Sequence, residues 1–213
     1  MVSFESYKKI GILGGTFNPV HMGHLLMAEY AREAVGLDQV ILMPSGISYM
    51  KAGTGVLSGE ERLRMLQLAI EDNPFFIASD MEIRREGNTY TYETLLQMKK
   101  ITPSSEIYFI VGADSLFSME HWVKPEVIFA NCTILAAGRN NASKEELESK
   151  KQDLEKRFNA HILLMDFPEI EISSSEIRKN VREKKSIRYM VHDRVLEYIQ
   201  EKGLYQDIEE VIL

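Results

Sequence analysis

The chain has 213 residues, of which 45% are hydrophobic and 27% are charged, and its formal net charge is −7. This composition is typical of a folded globular protein and excludes the disordered and collagen-like classes. The acidic balance argues against nucleic acid as a partner, because an acidic surface repels phosphates. The apolar runs fall short of the roughly 20 residues of a membrane helix, so we expect a cytoplasmic protein with no membrane partner. The single cysteine, Cys132, excludes an internal disulfide.

Short apolar runs alternate with helical patterns along the chain. The apolar runs predict strands at residues 10–13, 40–43, 75–78, 107–111, 133–137 and 161–165. Helices are predicted at residues 23–35, from Ser58 onward, at 92–100, at 143–158 and over most of 174–203. The helix from Ser58 is expected to begin with a capping box, in which Ser58 is the N-cap and the Glu61 side chain bonds back to it.

Each predicted strand is a continuous apolar run rather than an alternating one. Such strands are buried on both faces, which indicates a parallel sheet covered by helices. We therefore predict an α/β fold, a Rossmann-like doubly wound parallel sheet with a C-terminal helical segment. The chain is expected to form one domain, with a core over residues 1–172, a helical cap over 173–205 and a tail over 206–213. Ligands of such sheets bind at the carboxyl ends of the strands.

The most distinctive segment directly follows the first predicted strand and reads GGTFNPVHMGH over residues 14–24. Gly14 and Gly15 let the backbone approach a ligand closely, and the start of the following helix attracts an anion. His21 and His24 are three residues apart, so both rings can face one bound group and donate hydrogen bonds to phosphate oxygens. Either histidine alone is more commonly an ordinary surface residue, but the whole segment predicts a phosphate site.

Two more polar segments follow later strands. The sequence ISSSEIR over residues 172–178 has serines at a helix start, where they cap the helix, and Arg178 one turn further on, where its guanidinium can bind phosphate. Gly112 and Asp114 follow the strand at 107–111. A carboxylate at that point can accept both ribose hydroxyls while also capping the next helix. These segments indicate a nucleotide site at the carboxyl edge of the sheet.

These motifs resemble the signatures of the adenylyltransferases with an HxGH motif, and over about residues 9–205 the chain is most similar to the bacterial nicotinate-nucleotide adenylyltransferases. The resemblance implies that the catalytic residues are His21, His24, Arg178 and Lys51. The residues that it implies for ATP binding are Gly14, Gly15, Thr16, Phe17, His21, His24, Gly112, Asp114, Ser173, Ser174, Ile177 and Arg178. Two positions depart from the family pattern, Asn18 in place of the more usual Asp and Ser175 in place of Thr.

The resemblance also implies an acceptor site. Its residues are Lys51, Thr89, Tyr90, Thr91, Tyr92 and Trp122. Trp122 is expected to stack on a pyridine ring, whereas a lone tryptophan is otherwise more commonly a core residue. Backbone amides around Tyr90 are expected to hold a carboxylate at a helix start. The segment 48–50 before Lys51 departs from the family pattern. Arg62 matches a recurrent basic position of the family, in the helix after the second strand. The alternative is that Arg62 forms only a surface ion pair.

The activity implied by the resemblance is transfer of AMP from ATP to nicotinate mononucleotide, which gives deamido-NAD and pyrophosphate in NAD biosynthesis. The expected cofactor is Mg²⁺ that arrives with ATP, without a dedicated metal site, and a homo-oligomer is possible. Alternatives left open are nicotinamide mononucleotide or phosphopantetheine as the acceptor, and a nucleotide-binding regulator without turnover. A dinucleotide-binding oxidoreductase is disfavoured, because the first turn lacks the G-x-G-x-x-G pattern.

Overall fold

The computed structural model describes residues 7–46, 56–138 and 143–206. Within them, six strands form a parallel sheet in the order β3-β2-β1-β4-β5-β6. The strands are β1 (Lys9–Gly15), β2 (Gln39–Pro44), β3 (Phe76–Ala78), β4 (Glu106–Gly112), β5 (Thr133–Ala137) and β6 (His161–Met165). The order runs outward from β1 in both directions, which is the doubly wound arrangement. The predicted fold class is therefore confirmed.

Eight α-helices and one short 3-10 helix connect these strands in the described part of the chain. The α-helices are α1 (Met22–Val35), α2 (Gly59–Ile70), α3 (Thr91–Ile101), α4 (Ala113–Ser118), α5 (Pro125–Asn131), α6 (Lys144–Phe158), α7 (Ser174–Arg182) and α8 (Asp193–Lys202), and the 3-10 helix is Met119–His121. None of the helices in these ranges is long and apolar enough to cross a membrane.

The apolar side chains of neighbouring strands lie in register across the sheet. Ile12 of β1 pairs with Phe109 of β4, Phe109 with Ile134 of β5, and Ile134 with Ile162 of β6. All four side chains are buried, and all six residues of β2 are buried as well. Burial on both faces is the reason that β1, β2, β4 and β5 read as continuous apolar runs in the sequence, whereas the edge strand β6 leaves Leu163 43% exposed.

The sequence-based prediction is incomplete over 113–131. A helix was expected only directly after Asp114, whereas the segment holds α4, the 3-10 helix and α5. The prediction that most of 174–203 is helical is confirmed. The helical residues form two helices, α7 and α8, because the intervening chain leaves helical geometry with Lys184 at φ +56° and Tyr189 at φ +67°. The second helix ends at Gly203, which has φ +60° and fits the predicted helix terminus.

The predicted cap of α2 is present in part. The Ser58 hydroxyl accepts a hydrogen bond from the Glu61 backbone N–H at 3.2 Å. The Glu61 carboxylate accepts a hydrogen bond from the Tyr198 hydroxyl at 2.9 Å, in place of the predicted return bond to Ser58. A complete capping box is found instead at the start of α6, between Ser143 and Glu146.

The described chain divides into two compact units. Unit 1 comprises residues 7–14, 27–41, 90–138 and 143–169, and unit 2 comprises residues 15–26, 42–46, 56–89 and 170–206. Unit 1 therefore holds β4 to β6 with α3 to α6, and unit 2 holds the 15–26 segment with α2, α7 and α8. The predicted residues Gly14, Tyr90, Thr91, Tyr92, Gly112, Asp114 and Trp122 belong to unit 1, and the other predicted residues within the described ranges belong to unit 2.

Candidate active site

The loop 16–19 belongs to the segment 14–24, called the HxGH segment below. Side chains from α2 and α7 of unit 2 fix this loop. From α2, Arg62 Nη1 donates a hydrogen bond to the Thr16 carbonyl at 2.8 Å. From α7, Arg178 Nη1 donates to the Asn18 carbonyl at 2.9 Å, and Ser174 Oγ donates to the Pro19 carbonyl at 2.8 Å. Carbonyl groups outside helices and sheets need such partners when they are not in water. The structure thus brings the two predicted phosphate motifs into direct contact.

His21 and His24 form a stacked pair at the beginning of α1. Their ring centroids are 3.6 Å apart with an angle of 25° between the planes, and the His24 ring also meets the edge of Phe17 at 4.8 Å. The His21 backbone N–H donates to Nδ1 of His24 at 3.3 Å. Because Nδ1 accepts this bond, the proton of the neutral His24 ring is on Nε2. His24 therefore presents an N–H donor on the side away from the backbone.

Gly23 between the two histidines leaves room for the ring of His21. A Cβ atom at residue 23 would lie 3.1 Å from Nδ1 and 3.2 Å from Cε1 of His21, and 3.5 Å from Ile170 Cγ2. The two contacts with the imidazole are tighter than ordinary van der Waals separations, so any side chain here displaces that ring. The H-x-G-H spacing thus has a steric reason within this chain.

The serines at the start of α7 have different partners. Ser173 is the N-cap, since its hydroxyl accepts from the Glu176 N–H at 3.1 Å, and the Ser174 hydroxyl donates to the 16–19 loop. The Ser175 hydroxyl accepts from Nη2 of Arg178 at 3.4 Å. Ile177 is fully buried and its N–H donates to the Ser173 carbonyl, so its side chain packs in the core.

Arg62 is a site residue that the sequence reasoning left undecided. It is buried, and its guanidinium donates to the carbonyl of Thr16, to that of Ser45 at 2.7 Å and to that of Leu57 at 3.0 Å. The alternative that Arg62 forms only a surface ion pair is therefore wrong. Burial removes the Arg62 guanidinium from water and so lowers its pKa. A sequence signal was available, because Arg62 shares helical spacing with the buried Met65 and Leu66.

Tyr205 is a second residue that the sequence reasoning did not assign to the site. It is buried, and its hydroxyl donates to Asn18 Oδ1 at 3.0 Å. The same oxygen accepts the Leu57 backbone N–H at 3.3 Å, which identifies it as the amide oxygen rather than the nitrogen. Burial raises the pKa of the Tyr205 hydroxyl, so it stays protonated and acts as a donor.

Unit 1 carries three of the predicted ATP-binding residues, Gly14, Gly112 and Asp114, whereas Gly15 belongs to unit 2. Gly112 is the last residue of β4 and the N-cap of α4, and Asp114 is exposed in the first turn of that helix. Asp114 was expected to cap the helix as well as to bind ribose, and the capping part is wrong. A carboxylate in the first turn still complements the helix dipole and is open to a ligand.

Two aromatic pairs in unit 1 contain three of the predicted acceptor residues, Trp122, Tyr90 and Tyr92. The Trp122 ring is half-buried and meets the edge of the Phe109 ring at a centroid distance of 6.3 Å, so it is not a core residue. Tyr90 and Tyr92 stack at 6.0 Å, and the Lys124 ammonium lies 4.5 Å from the centroid of the Tyr92 ring. Lys124, which the sequence reasoning did not assign, adds a positive charge to this aromatic surface.

The predicted carboxylate-binding stretch is at a helix start. Tyr90 is the N-cap of α3, and Thr91 and Tyr92 are its first two residues. Thr89 precedes them as the last residue of its segment of unit 2 and is buried. Lys51 and the divergent segment 48–50 lie outside the described residues.

Comparisons with known proteins agree with these motifs. Residues 12–180 match the family model described as cytidylyltransferase-like. A probable nicotinate-nucleotide adenylyltransferase of Lachnoclostridium phytofermentans is 44% identical over 198 residues, which cover 93% of this chain and 99% of the relative. A second probable nicotinate-nucleotide adenylyltransferase, from Desulfitobacterium hafniense, is 42% identical over 93% of this chain and 96% of its own length. The chain belongs to the nicotinate-nucleotide adenylyltransferase family.

A solved structure supports the fold independently. It is described as Plasmodium falciparum nicotinic acid mononucleotide adenylyltransferase complexed with NaAD, and it aligns with a TM-score of 0.77 over 93% of this chain and 97% of that chain. At 21% sequence identity, this likeness concerns the fold alone. The family membership confirms the resemblance inferred from the motifs, and with it a nucleotidyltransferase enzyme.

Proposed function

We propose that this protein transfers AMP from MgATP to nicotinate mononucleotide, forming deamido-NAD and releasing pyrophosphate. The observation that carries the proposal is the contact between the two phosphate motifs, in which Arg178 donates to the loop that leads into the stacked His21 and His24 pair. Cationic and N–H donors converging on a helix start suit a polyphosphate. Membership of the nicotinate-nucleotide adenylyltransferase family supports the identity of the acceptor.

The reaction needs no general base. A phosphate oxygen of nicotinate mononucleotide, already anionic at neutral pH, attacks the α-phosphorus of ATP. The bond from the α-phosphorus to the bridging oxygen breaks, and that oxygen leaves with its electron pair as part of pyrophosphate. Catalysis then consists of holding the two phosphates in line and stabilising the charge that develops on them.

The histidines and Arg178 supply that stabilisation. His24 donates from Nε2 to an oxygen of the α-phosphate or of the leaving group, because its Nδ1 is held by the His21 N–H. The half-buried Arg178 guanidinium adds a fixed positive charge beside the same loop. Ser173 and Ser174 act chiefly by fixing the start of α7 and joining it to the loop.

The ribose contact and the contacts with the pyridine ring and its carboxylate are assigned to unit 1. The half-buried Trp122 stacks on the pyridine ring, and the N–H groups at the start of α3 near Tyr92 hold the nicotinate carboxylate. Asp114 accepts the ribose hydroxyls of ATP. Lys51, outside the described residues, is assigned to the acceptor from the family resemblance alone.

Mg²⁺ is proposed to enter as part of the MgATP substrate. The described ranges contain no group of three or more His, Cys, Asp or Glu side chains that could hold a metal ion. A small cation that keeps several waters and binds mainly to substrate phosphates is the usual situation for Mg²⁺.

The test is pyrophosphate release from MgATP with nicotinate mononucleotide and nicotinamide mononucleotide run in parallel. We expect release with the nicotinate form and a lower kcat/KM with the nicotinamide form, because the helix start favours a carboxylate over an amide. A reversed preference would refute the assigned acceptor. Folded protein that binds ATP but releases no pyrophosphate with either acceptor would indicate a nucleotide-binding regulator instead.

A further inference from the structure

We propose that Tyr205, near the C-terminus, is a positioning residue for the phosphate site, acting through Asn18 on Arg178. The inference rests on the proposed function, since it assigns to Arg178 the role described above. Tyr205 touches neither motif histidine by any contact described, so its effect is indirect. The role proposed for Tyr205 cannot be inferred from the sequence motifs, whereas the roles of α7 and of the HxGH segment follow from them.

Asn18 is held at both its side chain and its backbone. Its Oδ1 accepts the Tyr205 hydroxyl at 3.0 Å and the Leu57 N–H at 3.3 Å, while its own carbonyl accepts Nη1 of Arg178 at 2.9 Å. One residue therefore connects the C-terminal tyrosine to the guanidinium proposed to bind phosphate. A shift of the Asn18 peptide moves the acceptor that orients Arg178.

The Tyr205 side chain is anchored strongly enough to serve as a fixed point. It is 2% exposed, and Asn18 is 3% exposed, so water does not compete for their hydrogen bond. The Tyr205 backbone has φ +66°, a left-handed conformation that a bulky residue adopts only when its surroundings enforce it. The bond spans 187 residues of sequence and ties the segment after α8 to the loop after β1.

Loss of the hydroxyl is expected to change the rate more than the fold. In Tyr205→Phe the ring keeps its buried place, and Asn18 Oδ1 keeps the Leu57 N–H as a donor. The loop also keeps the bonds from Arg62 and Ser174. Because Asn18 retains a partner, the buried amide is not left unsatisfied.

The experiment compares Tyr205→Phe with Tyr198→Phe in the full chain. Tyr198 is a matched control, because its hydroxyl also joins the C-terminal region to another element, donating to Glu61 Oε2 at 2.9 Å. We expect kcat for pyrophosphate release to fall about tenfold in Tyr205→Phe, with KM for nicotinate mononucleotide changed less than twofold. Tyr198→Phe should keep kcat within about twofold of the wild type, with a similar shift in Tm.

A double-mutant cycle with Arg178→Lys tests the route of the effect. If Tyr205 acts through Arg178, adding Tyr205→Phe to Arg178→Lys lowers kcat by less than about twofold further. The inference is overturned if Tyr205→Phe lowers kcat by the same factor in both backgrounds, or if the two phenylalanine variants differ only in Tm. Wild-type protein that binds ATP without turnover refutes the proposed function instead. The inference is then judged on ATP affinity, which Tyr205→Phe should weaken and Tyr198→Phe should not.

Discussion

His24 is the side chain on which the proposed chemistry depends most directly, because the His21 N–H fixes its proton on Nε2. We expect His24→Ala to lower kcat about a hundredfold or more, the size of effect typical of a lost donor to developing negative charge. Pyrophosphate release measures the rate, and circular dichroism confirms the fold. His161→Ala, at an exposed residue of β6, is the control and should keep full activity. A folded His24→Ala protein with near-normal kcat would contradict the assigned role.

Gly23 tests whether the arrangement of the two histidine rings matters. Alanine favours a helix by about 1 kcal/mol over glycine, so Gly23→Ala should not lower stability through propensity. Its methyl would lie 3.1 Å from His21 Nδ1 and must push that ring aside, so we expect kcat to fall about tenfold.

The matched control for that variant is Gly138→Ala, whose methyl would lie 3.4 Å from Leu147 Cδ1, near ordinary contact distance. This control should keep kcat unchanged. Equal rates in both alanine variants would mean that the stacked geometry is not needed for catalysis.

The residues that sequence reasoning found and missed differ in how they act. His21, His24 and Arg178 belong to short motifs at helix starts, where residue type and spacing already indicate a ligand. Arg62 and Tyr205 act on the backbone of those motifs through contacts distant in sequence. Nothing local distinguishes a tyrosine that bonds to Asn18 from one that only packs, so these roles required the structure.

At the scale of secondary structure, Arg62 joins α2 to the loops after β1 and β2. Its three bonds to carbonyls use the fork of the guanidinium, which a lysine cannot reproduce. We expect Arg62→Lys to lower the free energy of unfolding by about 2–4 kcal/mol, as for other broken buried networks. Urea denaturation measures the change, with the exposed Arg64→Lys as a control in the same helix. A change below about 0.5 kcal/mol, the range of ordinary surface substitutions, would show that the network is dispensable.

Glu120 joins the 3-10 helix to α6 by ion pairs with Lys150 and Arg157. Hydrogen bonds from these two side chains lower the pKa of Glu120 to about 2. A depressed carboxyl pKa contributes stability above its unfolded value of about 4.3, and that stability is lost as pH falls towards the folded value. Wild-type protein should therefore have a higher Tm than Glu120→Gln at pH 7 and pH 5, with a smaller difference at pH 3. A difference independent of pH would contradict this assignment.

The strands were predicted from the sequence more completely than the helices, and the difference has a physical reason. The six strands were recognised because each forms a short apolar run, and burial on both faces explains this for the inner strands β1, β2, β4 and β5 but not for the edge strand β6. The helices α4 and α5, of six and seven residues, are too short to show a periodic apolar face. The break between α7 and α8 depends on left-handed residues other than glycine, such as Lys184 and Tyr189, which carry no turn signal in the sequence.

For the whole molecule, the sole cysteine reports on opening of unit 1. Cys132 is buried with its thiol donating to the Ile128 carbonyl at 3.3 Å, and burial raises its pKa to about 12. Because the thiolate is the reactive form, a thiol reagent at pH 8 should modify Cys132 only in molecules that have opened. Dilute urea should accelerate the reaction in proportion to the population of opened protein.

ATP binding should slow this reaction if Asp114 of unit 1 contacts the nucleotide as proposed. A ligand that binds only the folded protein lowers the opened population by a factor of one plus the ratio of ligand concentration to Kd. At ATP concentrations ten times Kd, labelling of Cys132 should therefore slow about tenfold. Asp114→Asn should weaken ATP binding and reduce the protection at the same ATP concentration. Labelling that ATP does not slow, in protein shown by calorimetry to bind it, would mean that the nucleotide does not stabilise unit 1 and that the role given to Asp114 is wrong.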